Sequence, residues 1–391
     1  FRVKAHALLL ACLLAPMALA SPWTSLGRSA RRAGLLRVRA FSTVHGAASA
    51  GYDGAAADNL EGSKASLYDQ RRPGYDERVV HELVRQLQLA KGRVAGEADR
   101  APVAAVELGA GTGKLSVSFA EQLADSDDMW FVASEPVQGM REVLQGKLAQ
   151  VSSRAIVSPG TGEDLTEVQR LLETHAGATP RVCGVVAAQA FHWFATDAAV
   201  EEMARVVAPG GILTLIWNNR DTSLPWVHAL DEVMNPLYPP NVPRQQYGSF
   251  MLPFMPGAPG ATHFAPMGVF CSSTEQRGGM EMVVGRVLSL SVVAHLPQAA
   301  QASIAERCRA VVREHLTDWD NISLPYLTHA FYFRRRREPA SPAAVRASFS
   351  AEEQWKRLGE EGLRGWRPIP LASTAESPEG LIWRALGLGR A

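Results

Sequence analysis

An apolar run that leads directly into three glycines is the feature that most constrains how this chain can fold. In the stretch AAVELGAGTGKLSVSFAEQL, apolar residues precede Gly109, Gly111 and Gly113, and an amphipathic pattern follows. The pattern predicts a buried strand over Val103–Leu108, a tight turn, and a helix over Gly113–Leu123. A glycine turn between a strand and a helix lets the backbone approach a ligand closely.

Apolar runs and helical patterns alternate through the middle of the chain. Further strands are predicted at Met129–Ser134, Arg154–Val157, Arg181–Ala187 and Gly211–Trp217, and further helices at Asp76–Leu89, Val137–Leu148, Leu165–Thr174 and Ala198–Val207. This alternation predicts the α/β class, with a doubly wound, mostly parallel sheet covered on both faces. Two later strands are predicted at Met282–Val293 and Leu324–Phe333, with a helix over Gln298–His315 between them.

Composition outside this region suggests the domain boundaries. Residues 1–52 are predicted to be a targeting presequence, signal-like and then transit-like, because an apolar run is followed by an arginine- and serine-rich stretch without acidic residues. We expect a plastid rather than a mitochondrion. A mitochondrial presequence and a disordered arm remain open, and the location would be cytoplasmic if the segment is not functional.

Three further boundaries follow. Residues 53–63 are a predicted linker, and 64–335 the main domain. Proline, aromatic residues and methionine interrupt the alternation at about 230–275, which predicts an inserted cap, with a long disordered loop as the alternative. Residues 336–391 are predicted to be a loosely attached C-terminal extension.

Charge and cysteine content argue against several classes of protein. The formal net charge is +1, which gives no electrostatic reason to expect a nucleic-acid partner. The four cysteines are scattered, with no pair at metal-ligand spacing, so we expect neither a metal site nor a disulfide framework. The N-terminal apolar run is too short for a stable membrane span.

Three ligands compete for the glycine turn. A phosphate-binding P-loop needs a glycine five positions before Gly113 and Ser or Thr after Lys114, but Leu108 and Leu115 occupy those positions. A dinucleotide fingerprint needs a third glycine where Lys114 stands. The remaining pattern, Glu-Leu-Gly-x-Gly-x-Gly, suits an amino-acid moiety and a ribose.

Acidic residues end or follow the first two predicted strands. Glu107 lies at the end of the first strand, where a carboxylate can receive an ammonium group. Glu135 follows the second strand, where a carboxylate can accept both hydroxyls of a ribose.

Several segments together resemble one family. VELGAGTGKLS resembles the first motif of class I S-adenosylmethionine-dependent methyltransferases. The segments YDQRRPGY (68–75), AQAFHWF (188–194), RVVAPGGILTLIWNNRD (205–221) and SLPYLTHAFYF (323–333) resemble, in order, the small-molecule group called methyltransferase type 11, which includes trans-aconitate methyltransferases. The resemblance spans roughly 64–335. It implies a seven-stranded Rossmann-like fold, S-adenosyl-L-methionine as cofactor and a small-molecule methyl acceptor. The cap and the tail depart from the group's pattern.

The strand ends and the resemblance together give a candidate site. Residues expected at the cofactor are Glu107, Gly109, Gly111, Gly113, Glu135, Thr161, Gly162, Glu163 and Gln189. Residues expected to position reactants or act in catalysis are His192, Gln189 and Arg72. Residues expected to line the acceptor are Tyr68, Tyr75, Phe191, Trp193, Trp217, Asn218 and Arg220.

Some of these residues keep two interpretations. The turn at 161–163 either contacts adenine, as the resemblance implies, or caps a helix. His192 either positions reactants, acts as a general base, or is a hydrogen-bonded core histidine. Arg72 either pairs with a substrate carboxylate or forms a surface salt bridge. The faces of Phe191 and Trp193 are candidates to stabilise a sulfonium cation.

The expected chemistry is methyl transfer. A methyl group on positive sulfur needs chiefly alignment and exclusion of water, and a carboxylate acceptor needs no base. We therefore expect O-methylation of a carboxylic acid. The alternatives are a non-catalytic regulatory module that binds the cofactor and an NAD-dependent reductase.

Overall fold

The computed structural model describes residues 63–95, 101–124, 129–238, 242–255 and 257–345. The predicted presequence, nearly all of the predicted linker and the tail from residue 346 lie outside these ranges. Two helices precede the sheet, α1 (Ser63–Arg71) and α2 (Glu77–Val94). Asp76 caps α2 by accepting a hydrogen bond from the backbone N–H of Arg78. The predicted helix over Asp76–Leu89 is therefore confirmed and extends to Val94.

Seven strands form one sheet in the order β3-β2-β1-β4-β5-β7-β6. Their bounds are β1 Val103–Leu108, β2 Met129–Ser134, β3 Ala155–Ser158, β4 Arg181–Ala188, β5 Val207–Arg220, β6 Phe264–Gly278 and β7 Ile322–Arg335. The first five strands pair in parallel, and β7 pairs antiparallel with both β5 and β6. The order reverses between β1 and β4, and ligands of doubly wound sheets bind at the carboxyl ends of strands beside such a switch point. The predicted class, a doubly wound, mostly parallel sheet of seven strands, is confirmed.

Helices cover both faces of this sheet. Those between the parallel strands are α3 (Ser116–Ala124), α4 (Gln138–Leu148), α5 (Thr166–Ala176) and α6 (Asp197–Val206). One hydrophobic cluster joins α2, α3 and α4 to one face, and a second joins α5 and α6 to the other. Burial on both faces explains why β1 is buried throughout and, apart from Glu107, apolar rather than alternating.

The predicted strand over Met282–Val293 is wrong. This segment forms α9 (Met280–Leu288) and α10 (Ser291–Ala294). Its valines favour a strand locally, but in α9 they pack against α7 (Pro225–Met234) and α11 (Gln298–His315) in a third hydrophobic cluster. Tertiary packing has overridden local propensity here. The strand that pairs with β7 is β6 instead, an edge strand whose polar second half carries a weak apolar signal.

The segment between α7 and β6 is packed rather than loose in its described parts. It contains short 3₁₀ turns at Asn235–Leu237, Gln245–Tyr247 and Ser249–Phe254, followed by the short helix α8 (Pro259–His263). Phe250 and Phe254 from this segment join the core cluster on one sheet face. Residues 264–275, predicted as part of the cap, belong to β6.

The first residues of the predicted C-terminal extension are attached to the domain. The backbone N–H of Arg336 donates to the carbonyl of His263, and that of Ala340 donates to the carbonyl of Thr262. Val345 is buried. Residues 336–345 therefore pack beside α8 and are not loosely attached. In the described parts of the chain, no helix has the length and apolar character needed to cross a membrane.

Candidate active site

The glycine turn after β1 has a backbone that side chains rarely adopt. Gly109, Gly111 and Gly113 have φ angles of 65°, 59° and 86°. A Cβ atom at Gly109 would lie 2.5 Å from the Cβ of Ala190, and one at Gly113 would lie 2.8 Å from Leu144. A Cβ at Gly111 would meet no heavy atom within 4 Å. The outer two glycines thus permit close packing, whereas the middle one faces open space.

Glu135 lies beside this turn, immediately after β2. Its Oε2 accepts the backbone N–H of Gly111 at 2.8 Å, and its Oε1 accepts that of Val137 at 2.9 Å. The residue is 4% exposed. A carboxylate only accepts hydrogen bonds, and these two backbone donors orient the group beside the turn. Glu135 therefore contacts the glycine turn, and its role as a ribose acceptor stays a prediction.

Glu107 is buried at the end of β1. The hydroxyl of Ser116 donates to its Oε2 at 2.6 Å. Burial raises the pKa of Glu107, the hydrogen bond from Ser116 partly opposes that rise and the charge of Glu135 adds to it, so the pKa is about 8. Near neutral pH the carboxyl is therefore mostly protonated, and a cation placed beside it would favour ionisation.

A phenylalanine that the sequence analysis did not select lies between two turns of the crevice. A Cβ at Gly162 would lie 2.3 Å from the ring of Phe194, and one at Gly109 would lie 3.8 Å from the same ring. Gly162 is buried under this ring. Phe194 therefore joins the turn after β3 to the glycine turn, and only glycine at 162 leaves room for it.

The rest of the turn after β3 is exposed. Thr161 forms an isolated bridge with Asp164, whose Oδ1 accepts the backbone N–H of Thr166 at the start of α5. Glu163 accepts the hydroxyl of Thr196 at 2.6 Å. Asp164, one residue before the N-cap Leu165, thus accepts the first backbone N–H of α5, and Glu163 is held against the segment that begins α6.

Gln189 follows β4 in a strained conformation. Its φ is 57°, the one positive value outside glycine in the described residues. Its backbone N–H donates to the carbonyl of Ile216 at 2.7 Å, and its Nε2 donates to the carbonyl of Asn218 at 2.6 Å. These bonds fix the end of β4 to β5 and hold a rarely adopted backbone at the switch-point edge, where such strain often accompanies function.

His192 is held by a neighbouring tryptophan. The Nε1–H of Trp217 donates to Nδ1 of His192 at 3.2 Å, which places the imidazole proton on Nε2. Burial, together with the positive charges of Arg244 and Arg72, lowers the pKa of His192 to about 3. A ring that stays neutral, with Nδ1 already occupied, fits a positioning role better than general-base catalysis.

Two predicted acceptor residues belong to the core. Phe191 is fully buried, and its ring packs against Phe194 and Phe254 at centroid distances of 5.5 and 5.9 Å. Trp217 is 1% exposed within the same cluster, with only its Nε1 directed to His192. Trp193 is half-buried, and its ring centroid lies 5.2 Å from that of His192. Of these three, Trp193 is the one left accessible.

The segment 68–76, here called the strap, runs from α1 to α2 and contacts the glycine turn. Asp69 accepts the hydroxyl of Thr112 at 2.7 Å and pairs with Lys147 of α4 at 2.8 Å. Burial alone would raise the pKa of Asp69, but the hydrogen bonds from Lys147 and Thr112 lower it overall. Tyr75 packs on the cluster that contains the turn, and burial followed by the charge of Glu107 raises its pKa.

The strap also contacts the end of β5 and the residue that follows α9. Arg72 stacks on the ring of Tyr68 at 4.4 Å, and its Nη2 donates to the carbonyl of Ser289 at 3.2 Å. Asn218 donates from Nδ2 to the carbonyl of Gly74 at 3.0 Å. Among the described residues Arg72 therefore forms no surface salt bridge, and the contacts of its guanidinium are neutral groups. Its pairing with a substrate carboxylate stays a prediction.

Arg220 is committed to an ion pair. Its Nε and Nη2 both donate to Oδ1 of Asp231, at 3.0 and 2.6 Å, and both side chains are largely buried. A substrate anion would have to compete with this carboxylate. Arg220 therefore has a structural partner already, and its place in the acceptor lining stays a prediction.

Two further arginines are buried nearby, and the sequence analysis did not select them. Arg286 of α9 is 6% exposed, donates from Nε to the hydroxyl of Tyr326 at 3.2 Å, and approaches Oγ of Ser289 at 3.5 Å. Arg244 is 5% exposed and stacks on Tyr238 at 3.9 Å. A lone arginine inside the apolar run MEMVVGRVLSL was the available signal for Arg286, since buried charges need a reason.

Comparison with known proteins places this geometry in context. No family model matches the chain. An uncharacterized methyltransferase from Mycobacterium tuberculosis is 34% identical over 173 residues, which are 44% of this chain and 58% of that protein. An uncharacterized methyltransferase-like protein from Schizosaccharomyces pombe is 32% identical over 129 residues, 33% of this chain and 43% of that protein. The chain thus matches less than two thirds of the length of these relatives.

Solved structures give a weaker likeness. A candidate type II methyltransferase from Anaeromyxobacter dehalogenans matches 69% of this chain and 99% of its own, with 21% identity and a TM-score of 0.43. A Haemonchus contortus N-methyltransferase, crystallised with phosphomonomethylethanolamine and S-adenosylhomocysteine, matches 64% of this chain and 52% of its own, with 11% identity and a TM-score of 0.31. Such low scores say nothing about function. The sheet order and the relatives named methyltransferase support a methyltransferase.

Proposed function

We propose that the protein transfers a methyl group from S-adenosyl-L-methionine to a small molecule, and that the accepting atom is a carboxylate oxygen. The observation that carries the cofactor assignment is the carboxylate of Glu135, oriented by the backbone N–H groups of Gly111 and Val137. It stands beside a turn whose middle glycine faces open space. This arrangement suits a ribose rather than a phosphate, because a carboxylate accepts hydroxyl donors and repels anions.

The residues around the turn fit the other parts of this cofactor. Glu107, neutral when no cation is present, would ionise beside an ammonium group. Phe194 and Gly162 would border the base, with Thr161 and Glu163 at the exposed rim. Bound there, the cofactor would supply a methyl carbon activated by positive sulfur.

Charge around the acceptor side supports an anionic acceptor. Three arginines lie at the edge where β4 and β5 end. Arg72 belongs to the strap, Arg244 directly precedes the 3₁₀ turn Gln245–Tyr247, and Arg286 belongs to α9. A carboxylate needs no base to attack a methyl group. The low pKa of His192 and its bond from Trp217 are consistent with that chemistry, because the ring is not available to remove a proton.

Alignment is the task left to the protein. Gln189 fixes the end of β4 against β5, and neutral His192 offers Nε2–H as a donor. The strap would exclude water by covering both the glycine turn and the acceptor side of the site. Each of these contributions lowers the barrier of an in-line displacement without a proton transfer.

Calorimetry on the full chain tests the cofactor step. We expect S-adenosyl-L-methionine to bind, and Glu135→Ala to weaken binding by about 100-fold, because hydrogen bonds to a charged group contribute roughly 1.5–3 kcal/mol each. Glu167→Ala, at an exposed carboxylate paired with Arg170, is the matched control and should bind normally. Absence of binding in the wild-type protein, or equal binding in Glu135→Ala, would refute this site.

A turnover assay tests whether a methyl group is transferred and which atom accepts it. Incubation with a methyl donor labelled on the methyl group and a metabolite extract should yield a labelled acid whose label is released by mild base, as a methyl ester requires. A base-stable label would reject the carboxylate acceptor and keep the methyltransferase. Cofactor binding with no labelled product would favour a regulatory module, and nicotinamide binding in place of the methyl donor would favour a reductase. We also propose, from residues 1–52, an organelle location, which imaging of the tagged full chain would test.

A further inference from the structure

Arg72 and Arg286, which both contact Ser289, differ from the nearby Arg220 in their hydrogen-bond partners. Arg220 has the carboxylate of Asp231 as its partner. Arg286 donates to the hydroxyl of Tyr326, and Arg72 to the carbonyl of Ser289. Within the described ranges, neither Arg286 nor Arg72 has a carboxylate at ion-pair distance. The protein therefore provides an anion for one buried cation and neutral groups for two others.

Such an arrangement is costly without a further partner. Arg286 is more than nine-tenths buried, and Nε of Arg72 is buried with no hydrogen-bond partner among the described residues. An unpaired buried charge and an unsatisfied buried donor each destabilise a folded protein. Burial lowers the pKa of Arg286 to about 10, and the neighbouring charges of Arg72 and Arg220 act in the same direction.

Ser289 brings the two guanidinium groups to one place. Its carbonyl accepts from Arg72 at 3.2 Å, and its Oγ lies 3.5 Å from Nη1 of Arg286. Tyr326 stands beside Arg286, and its hydroxyl reaches Gln276 at 3.3 Å. Guanidinium forks bind carboxylates and phosphates in bidentate fashion, so two forks at one residue form a receptor for a compact anion.

We infer that Arg72 and Arg286 bind an anionic group of the acceptor that is not itself methylated, a carboxylate or a phosphate. This inference rests on the proposed function for what the acceptor undergoes. A carboxylate held by two arginines has its lone pairs engaged and is a poor nucleophile, so the reacting atom is a different one. The acceptor therefore carries at least one anionic group besides the atom that receives the methyl group.

The test uses anion probes on the full chain, with and without S-adenosylhomocysteine. By calorimetry we expect succinate or inorganic phosphate to bind and neutral succinamide not to bind. The anion with the higher affinity indicates whether the acceptor carries a carboxylate or a phosphate at this site. Arg286→Gln should weaken that anion by at least about tenfold, and Arg286→Lys, which keeps the charge but loses the fork, by less. Arg277→Gln, at an exposed arginine of β6, is the control and should bind like the wild type.

Separate readouts distinguish the two proposals. Binding of S-adenosylhomocysteine that is unchanged in Arg286→Gln shows that the variant is folded and that only the anion site is affected. If neither anion binds the wild-type protein, or if Arg286→Gln and Arg277→Gln bind the anion equally, the inference is wrong while the cofactor site can still stand. If the anions bind as expected but the cofactor does not, the proposed function fails and the anion site remains.

Discussion

The buried carboxyl of Glu107 makes a pH-dependent prediction that can be worked through in numbers. Its pKa is raised by burial from an ordinary 4.5 to about 8. At pH 7 about nine-tenths of the molecules therefore carry a protonated Glu107, and at pH 6 about 99% do. If the ionised form receives the ammonium group of the cofactor, binding must expel this proton.

The expected magnitude follows from that proton. Cofactor affinity should rise by up to about tenfold per pH unit between pH 5 and pH 8, and level off above pH 8. At pH 7 binding should release about 0.9 proton, which calorimetry in buffers of different ionisation enthalpy measures directly. Glu107→Gln is the matched variant, because its amide resembles the protonated carboxyl in size and charge. It should bind the cofactor more weakly and with no pH dependence from this position.

The same group has an opposite effect on the stability of the protein without cofactor. Because the folded-state pKa lies above the unfolded-state value, the folded protein binds the extra proton. The stabilisation is fully present below pH 4.5 and is lost as pH rises through about 8. The free energy of unfolding should fall by up to about 1.4 kcal/mol per pH unit across this window relative to Glu107→Gln.

Two results would refute this reasoning. Cofactor affinity that is flat from pH 6 to pH 8 would mean that Glu107 does not change protonation on binding. A pH dependence retained in Glu107→Gln would assign the proton to another group. Denaturant unfolding of both proteins at pH 5, 6, 7 and 8 provides the independent check on stability.

Two further predictions separate structural from binding roles. Gly109→Ala should lower the free energy of unfolding by about 2–5 kcal/mol, because it adds a steric clash to a left-handed backbone. Gly111→Ala should lower it by only about 1–2 kcal/mol and should chiefly weaken cofactor binding. Equal losses of stability in denaturant unfolding would contradict this prediction. Asp231→Asn should cost about 3–5 kcal/mol by leaving Arg220 buried without its anion, and the double variant Arg220→Met with Asp231→Leu should be more stable than Asp231→Asn alone. A double variant less stable than the single one would contradict the unpaired charge of Arg220 as the source of the cost.

The sheet and the glycine turn could be predicted because their signals are local. Apolar runs of strand length and glycines at alternate positions each specify a structure within a few residues. The Met282–Val293 segment failed for the opposite reason, since its valines become helical only through packing against α7 and α11. The same misassignment hid Arg286, because a residue assigned to a strand gave no reason to place it beside the strap.

The directions of the aromatic side chains in FHWF could not be predicted from the sequence. The sequence places four rings after β4, and the resemblance favoured Phe191 and Trp193. The 3₁₀ turn over Phe191–Trp193 instead directs Phe191 into the core and brings Phe194 against Gly162. Side-chain direction in such a short turn depends on its neighbours, and no spacing rule predicts it.

One turn of the chain connects the glycine turn to the segment beside α9. Asp69 lies in the last turn of α1, and Arg72 follows the end of that helix, with its backbone N–H donating to the carbonyl of Asp69 at 3.3 Å. Asp69 contacts Thr112 in the glycine turn, while Arg72 contacts Ser289 beside α9. A movement of this turn that releases one contact must therefore disturb the other. An anion bound at Arg72 would hold the strap in place over the cofactor as well, and this coupling gives a physical reason for the acceptor's charge to influence how long the cofactor stays bound.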